Sequence, residues 1–224
     1  MKVAVLSDLH SNYEAVKAVA EDVLQADVVV CLGDVVGYYC QVNETVDWVR
    51  EHVTHCVLGN HDHYALHGCP ENVPPAVRFG AEFAGKTLMA SHREWLRQLP
   101  LKWEGRLGDR SFLLVHGSPW DPLGDYLYED NPRLAELPQL DFDVIAFGQT
   151  HRFLQRRQGN RVQVNPGAVG QSRDRETLAC ACAVILDTGT MEIQRLTPKY
   201  DASTVIRLAR AQGAGDWIEK YLTP

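Results

Sequence analysis

The chain has 224 residues, 45% of them hydrophobic, six cysteines and a formal net charge of −7. That length and apolar fraction suffice for one core-forming α/β domain without disulfides or an obligatory partner. The acidic balance, with a pI near 5.7, argues against non-specific binding to nucleic acid or to an anionic membrane.

Val3–Leu6 is an unbroken apolar run, the pattern of a strand covered on both faces, and it ends in Ser7-Asp8-Leu9-His10. It is too short for the apolar region of a signal peptide. Ser11 and Glu14 have capping-box spacing, and Val16, Val19, Ala20 and Val23 then occupy one buried helical face. A second strand over Val28–Leu32 runs into Gly33-Asp34. A short helix around Val46 and Val49 precedes a third strand, Val53–Leu58, which ends in Gly59-Asn60-His61-Asp62. Pro74 and Pro75 open a helix towards Gly85, and Leu88, His92, Trp95, Leu96 and Leu99 mark another that Pro100 stops.

Two further strands follow, Ser111–Val115 ending in His116-Gly117 and Val144–Phe147 ending in Gly148-Gln149-Thr150-His151. Between them, residues 118–141 are rich in Pro, Asp and Tyr and have the length of a functional flap. Runs at Arg161–Val164, Leu178–Leu186 and Met191–Leu196 read as strands, with Thr188-Gly189 the plainest hairpin turn. No CxxC pair occurs, and no apolar stretch has the length of a membrane span. The cysteines therefore read as buried thiols, and the expected location is the reducing cytoplasm.

Five apolar strands thus each end in residue types that bind metals: Asp8 and His10, Asp34, Asn60, His116, and lastly Gln149 with His151. In parallel α/β sheets the carboxyl ends of the strands gather at one edge, so these side chains can converge although they lie far apart in the chain. Carboxylates and imidazoles together suit first-row divalent ions, and a carboxylate such as Asp34 can bridge two of them. Singly each element is weak, since Asp-x-His is usually a loop and Gly-Asn-His-Asp a turn. In this order, each after an apolar strand, chance is a poor explanation.

The ordered set Asp8-Leu9-His10, Gly33-Asp34, Gly59-Asn60-His61-Asp62, His116-Gly117 and Gly148-Gln149-Thr150-His151 resembles the calcineurin-like metallophosphoesterase superfamily. The stretches 33–38, 116–119 and 165–174 are similar to a small prokaryotic single-domain, phosphodiesterase-like branch. The resemblance implies a two-sheet β-sandwich flanked by α-helices, one domain over residues 1–224, with the active site at the carboxyl ends of the strands. It also implies hydrolysis of a phosphodiester or phosphomonoester by water activated at a dinuclear centre, with Mn²⁺ favoured and Fe, Zn, Ni or Co as other occupants.

Carried over by position, Asp8, His10, Asp34 and His151 hold the first ion, and Asn60, His116 and Gln149 hold the second, with Asp34 shared. The family pattern has His where this chain has Gln149, whose carbonyl oxygen is a weaker ligand for zinc-like ions. Mixed oxygen and nitrogen ligation favours a harder ion such as Mn²⁺, or leaves the second site loosely held.

His61, next to Asn60, is the candidate general acid for the leaving oxygen, with Asp62 as its orienting partner. The planar fork of Arg173 suits a phosphate oxygen. Bland alternatives stand beside each: a turn histidine and a surface arginine. Tyr38, Tyr126 and Tyr128 read either as stacking platforms for a base or aromatic leaving group or as packing residues. The expected partner is a small phosphorylated substrate, with no membrane. Two other classes compete: a binding or scaffold protein that kept the fold and lost turnover, which Gln149 motivates, and a nuclease, which the acidic charge disfavours.

Overall fold

The computed structural model describes residues 1–220, 222 and 223. In chain order the first half carries β1 (Lys2–Leu6), α1 (Tyr13–Val23), β2 (Val28–Cys31), α2 (Val42–His52), β3 (His55–Cys56), α3 (Asn60–His67), α4 (Pro75–Thr87) and α5 (Ala90–Arg97). The second half carries β4 (Lys102–Leu107), β5 (Arg110–Val115), β6 (Val144–Ala146), β7 (Phe153–Gln158), β8 (Arg161–Pro166), β9 (Ala183–Asp187), β10 (Ile193–Leu196) and α6 (Ser203–Ala211).

Side-chain alternation along the strands decides the layering. Val3 and Val5 of β1 enter a core that also holds Val30, Leu32, Phe112, Leu114, Val162 and Val164, contributed from both sheets. Ala4 and Leu6 face the other way and pack with Val16 and Val19 of α1 and Val46 and Val49 of α2. Because both faces are covered, these strands are apolar throughout, as the sequence run implied. One sheet has the order β10-β9-β1-β2-β3 and the other β4-β5-β6-β8-β7. In the first sheet β1 runs parallel to β2 and β2 to the edge strand β3, and in the second the central strands are parallel, β5 with β6 and β6 with β8. The carboxyl ends of β1, β2, β5 and β6 therefore open towards one edge, and antiparallel strands close one flank of the first sheet and both flanks of the second. The fold is the expected two-sheet α/β sandwich flanked by helices.

Several elements depart from the sequence reading. The α1 cap is Asn12, whose side chain accepts from Ala15 N at 3.1 Å; Ser11 instead sits at φ 56 in the loop after β1. Strand β3 is shorter than Val53–Leu58 because Leu58 N turns away to bond Pro100 O at 2.8 Å. Asn60 begins a helix, with Asp62 at its third position accepting from Gly59 N at 3.0 Å. The run from Leu178 pairs as a strand only from Ala183. Strands β4 and β7 and helix α6 were not anticipated: β4 and β7 are partly exposed edge strands, where weak burial leaves a polar pattern.

Segment 118–141 is pinned by Leu127, Leu134 and Leu137, which pack on Leu113, Val115, Ile145 and Phe147 of the second sheet's outer face. Trp120, Tyr126 and Tyr128 remain exposed on the same segment. Helix α6 joins α4 around Val77, Val205 and Ala209, with Tyr38 and Tyr39 in the same cluster. His92 ties α5 to α2, its ring nitrogens lying 2.9 Å from Asn43 Oδ1 and 2.8 Å from Asp47 Oδ1. No helix among the described residues is long and apolar enough to cross a membrane.

Phe112 is fully buried between the sheets. Phe112→Ala is expected to lower unfolding free energy by about 3–5 kcal/mol in urea titration, whereas Trp120→Ala stays within about 0.5 kcal/mol. Equal effects of the two substitutions would contradict the assigned core.

Candidate metal centre

The site is built from loops held in strained backbone. Asp8 (φ 57), His10 (φ 51), Asp34 (φ 54), Gln149 (φ 65) and His151 (φ 59) all adopt the left-handed conformation that non-glycine residues avoid, as do Ser11 and Tyr38. Each costs on the order of 1–3 kcal/mol, so neighbouring structure must impose it. The imposition is visible as a zipper between the first two loops: Asp8 N bonds Gly33 O at 3.0 Å, His10 N bonds Asp34 O at 2.9 Å, and Ser11 N bonds Val35 O at 3.0 Å. Gly148 N bonds His116 O at 2.8 Å and Gly170 N bonds Asp8 O at 2.9 Å, which ties in the second sheet's loops.

The side chains then converge. Ligand atoms of Asp8, His10, Asp34 and His151 lie within 4.8 Å of one another, and all four residues are buried. His151 Nε2 is 3.0 Å from His10 Nε2 and 3.2 Å from Asp8 Oδ1. Asp34 is also approached by His116, whose Nε2 lies 3.3 Å from Asp34 Oδ2 and 3.0 Å from Asn60 Oδ1.

Outer hydrogen bonds decide what those nitrogens offer. His10 Nδ1 faces Val36 O at 3.4 Å, His116 Nδ1 faces Leu32 O at 2.8 Å, and His151 Nδ1 faces Gln171 O at 2.8 Å. A carbonyl only accepts, so in the neutral rings Nδ1 carries the hydrogen and each Nε2 turns a lone pair inward. Two lone pairs 3.0 Å apart beside two carboxylates repel unless positive charge lies among them. The donor set fits a divalent cation.

The titration shifts have the same origin. Burial resists charge on both Asp8 and Asp34, yet the surrounding imidazoles hold both carboxyls well below their usual range. Burial also opposes charge on His116, but the Asp34 carboxylate overrides it and pushes that imidazole up to about 10. His151 falls to about 4 through burial and the nearby Arg173, and burial takes His61 down to about 3. Asp62 rises to about 7 through burial and repulsion from Asp34.

The predicted set is therefore gathered with two qualifications. Gln149 donates from its backbone N to Asp8 Oδ2 at 3.2 Å, but its side-chain Nε2 donates to Leu123 O at 3.2 Å. Its Oε1 is buried with no hydrogen-bond partner among the described residues. Asp62 does not take the role of orienting the His61 ring: its carboxylate accepts from Val36 N at 2.9 Å and Gly59 N at 3.0 Å, clamping the second and third loops. Its position at the first turn of a helix, with backbone donors in reach, explains the difference.

His61 is buried, its ring 4.6 Å from Tyr38 and 4.7 Å from His10 between centroids, and its backbone N donates to Asp34 Oδ1 at 2.8 Å. Arg173 is at the rim, its backbone N bonding His151 O at 3.1 Å and Nη2 donating to the Tyr38 hydroxyl at 3.1 Å. Asn165 had no assigned role in the sequence reading; its Nδ2 donates to Gly148 O at 2.7 Å and shapes the Gln149–His151 loop. Its place in Asn165-Pro166-Gly167 at the end of β8 was the available signal.

The profile of the calcineurin-like phosphoesterase superfamily domain matches residues 1–191. The chain belongs to that superfamily. It is 29% identical to an uncharacterised protein of Methanocaldococcus jannaschii, over 98% of this chain and 96% of that one. The crystal structure of a metallophosphoesterase from Sphaerobacter thermophilus superposes with a TM-score of 0.84 at 29% identity, covering 99% of this chain and 98% of that one. A hypothetical protein of Pyrococcus horikoshii shares the fold at a TM-score of 0.85 and 20% identity, covering 99% of this chain and 97% of that one. Membership in a family of metal-using hydrolases of phosphoester bonds agrees with the buried Asp and His group.

Gly59 packs so closely that an added Cβ would overlap Asp34 Oδ1 and Asp34 N. Gly59→Ala should therefore displace the Asp34 carboxylate and weaken divalent-ion uptake by at least about tenfold. Calorimetric titration of Mn²⁺ checks this, and unchanged affinity in a folded variant would exclude the assigned geometry.

Proposed function

We propose that the protein hydrolyses a phosphodiester or phosphomonoester at a dinuclear centre, with Mn²⁺ as the favoured ion. The observation that carries the reading is one buried carboxylate within reach of imidazoles from two separate ligand groups. Asp34 Oδ2 lies 3.7 Å from His10 Nε2 and 3.3 Å from His116 Nε2. Asp8, His10, Asp34 and His151 would hold one ion; Asp34, Asn60, His116 and Gln149 would hold the other. When bound, such ions supply Lewis-acid activation of water and neutralise charge on the phosphoryl oxygens.

The chain's own residues do the rest. The three Nδ1–H contacts to carbonyls keep the imidazoles of His10, His116 and His151 oriented, so the site is preorganised rather than assembled by the ion. Arg173, held by Tyr38, is placed to fork onto a phosphate oxygen of the incoming ester. His61 is the group proposed to meet the leaving oxygen. Its Nδ1 is buried without a hydrogen-bond partner among the described residues, so a ligand atom can complete it. Burial keeps this ring neutral in the ligand-free protein, and the negative charge of a bound phosphate favours its protonation.

Gln149 marks where this chain differs. Its unpartnered Oε1 suits a neutral oxygen ligand, while its bond to Leu123 O ties the second site to segment 118–141. An oxygen in place of imidazole weakens the hold on zinc-like ions and favours Mn²⁺. The proposed substrate is a small phosphorylated molecule, and the proposed location is the cytoplasm.

The reading predicts Mn²⁺-dependent release of nitrophenolate from bis(p-nitrophenyl) phosphate, abolished by chelation and restored by Mn²⁺. Asp34→Asn should cut kcat/KM by at least about a hundredfold. Turnover that survives both chelation and Asp34→Asn would exclude the mechanism, and two bound ions without turnover on any phosphoester would favour the scaffold alternative. Gln149→His should tighten Zn²⁺ binding at the weaker of two calorimetric sites by about tenfold or more. An unchanged Zn²⁺ isotherm would remove Gln149 from the ligand set.

A further inference from the structure

The chain has nine histidines, and the surroundings of most of them are already explained. His10, His61, His116 and His151 belong to the buried centre. His92 bonds Asn43 and Asp47, His52 lies against the Trp48 ring and Glu51, and His55 stacks on Trp103 at 4.1 Å between centroids. His63 and His67 remain. Both stand on α3, and neither ring takes part in a hydrogen bond or ion pair among the described residues.

Residues four apart on a helix present their side chains on one face. Here the two rings are neighbours, with centroids 4.6 Å apart and planes tilted by 38°. That separation has a chemical meaning. An imidazole bound through a metal–nitrogen bond of about 2.0–2.1 Å has its centroid roughly 3.2 Å from the ion, so two rings sharing one ion at roughly 90–110° have centroids about 4.5–5.2 Å apart. The observed spacing falls in that range, so only small side-chain adjustments separate the pair from a chelate.

Access and protonation fit the same use. His67 is exposed and His63 half-buried, so a solvent-borne ion reaches both. Burial and the adjacent His67 hold the His63 imidazole below its ordinary value. The ring is therefore neutral near pH 7, the form that ligates metals.

We infer that His63 and His67 form an exposed metal site, distinct from the buried centre, for a borderline divalent ion such as Ni²⁺, Cu²⁺ or Zn²⁺. Two imidazoles, with water in the other positions, give nitrogen ligation without a carboxylate, which selects those ions over Mn²⁺, Mg²⁺ and Ca²⁺. The inner set, with Asp8, Asp34, Asn60 and Gln149, is richer in oxygen, so the two sites sort ions differently. An ion bridging residues 63 and 67 also braces the last turn of α3, an eight-residue helix whose first residue is Asn60.

The test uses an ion that cannot enter the buried centre: Ni²⁺ fixed to an iminodiacetate resin. The untagged full chain should be retained on it. His63→Asn and His67→Asn should each lower the imidazole concentration needed for elution by about fivefold or more. His52→Asn, at another accessible histidine, should leave that concentration unchanged. All three side chains reach solvent, and thermal melts confirm that the variants fold. In free solution, calorimetric titration with Ni²⁺ should count one more site in the unmodified chain than in the variant carrying both His63→Asn and His67→Asn. Passage of the unmodified chain through the resin, retention that survives both single substitutions, or equal site counts in solution would overturn the inference.

Discussion

The structure depends on one electrostatic constraint: a buried carboxylate, Asp34, lies among inward-facing imidazole nitrogens contributed by both sheets. Burial by itself would drive its proton on, but the neighbouring imidazoles keep it ionised. In the ligand-free protein the compensating charge is a proton on His116, whose pKa is pushed up to about 10. A divalent ion serves the same electrostatic need with far more charge, which is why this arrangement reads as a metal centre rather than as a structural ion pair. His10 and His151, presenting lone pairs 3.0 Å apart, carry the same message for the other side of the cluster.

Maintaining that convergence requires a rigid frame, because the loops themselves are unfavourable. Seven non-glycine residues at the site stand in left-handed backbone, and the backbone bonds from the first loop to the second hold them there. The frame is in turn secured by the inter-sheet core around Phe112, Leu114, Val5 and Leu32. Strain at the site is thereby offset by burial elsewhere, the usual arrangement where ligands must be preorganised. Asp62 belongs to this frame: its carboxylate joins the turns at Val36 and Gly59, and its pKa rises to about 7 because it is buried beside Asp34.

Much of the chemistry was legible because it follows strand ends. Asp8, His10, Asp34, His116 and His151 each come directly after an apolar run, and parallel pairing necessarily brings such ends to one edge. Roles that depend on where a side chain points were not legible. Asp62 and Gln149 both follow expected elements, yet one carboxylate bonds backbone amides and one amide reaches Leu123 O. Elements with little burial were missed for a related reason: β7, with four exposed residues in six, carries no apolar periodicity to read. The α1 cap moved from Ser11 to Asn12 because the preceding loop turns through left-handed backbone that sequence periodicity does not encode.

The sequence alone determined the α/β class, the family resemblance and the set of residue types able to hold divalent ions, since these follow from local hydrophobic runs and the residues that end them. Tertiary structure alone decided which imidazole nitrogens face inward, which acids and imidazoles gather in one buried group, and where the Asp62 and Gln149 side chains turn. Those properties depend on contacts across long stretches of chain, such as His151 with Gln171 and His116 with Leu32. Such contacts exist only after the two sheets have packed, and packing is set by the whole core rather than by any local run of residues.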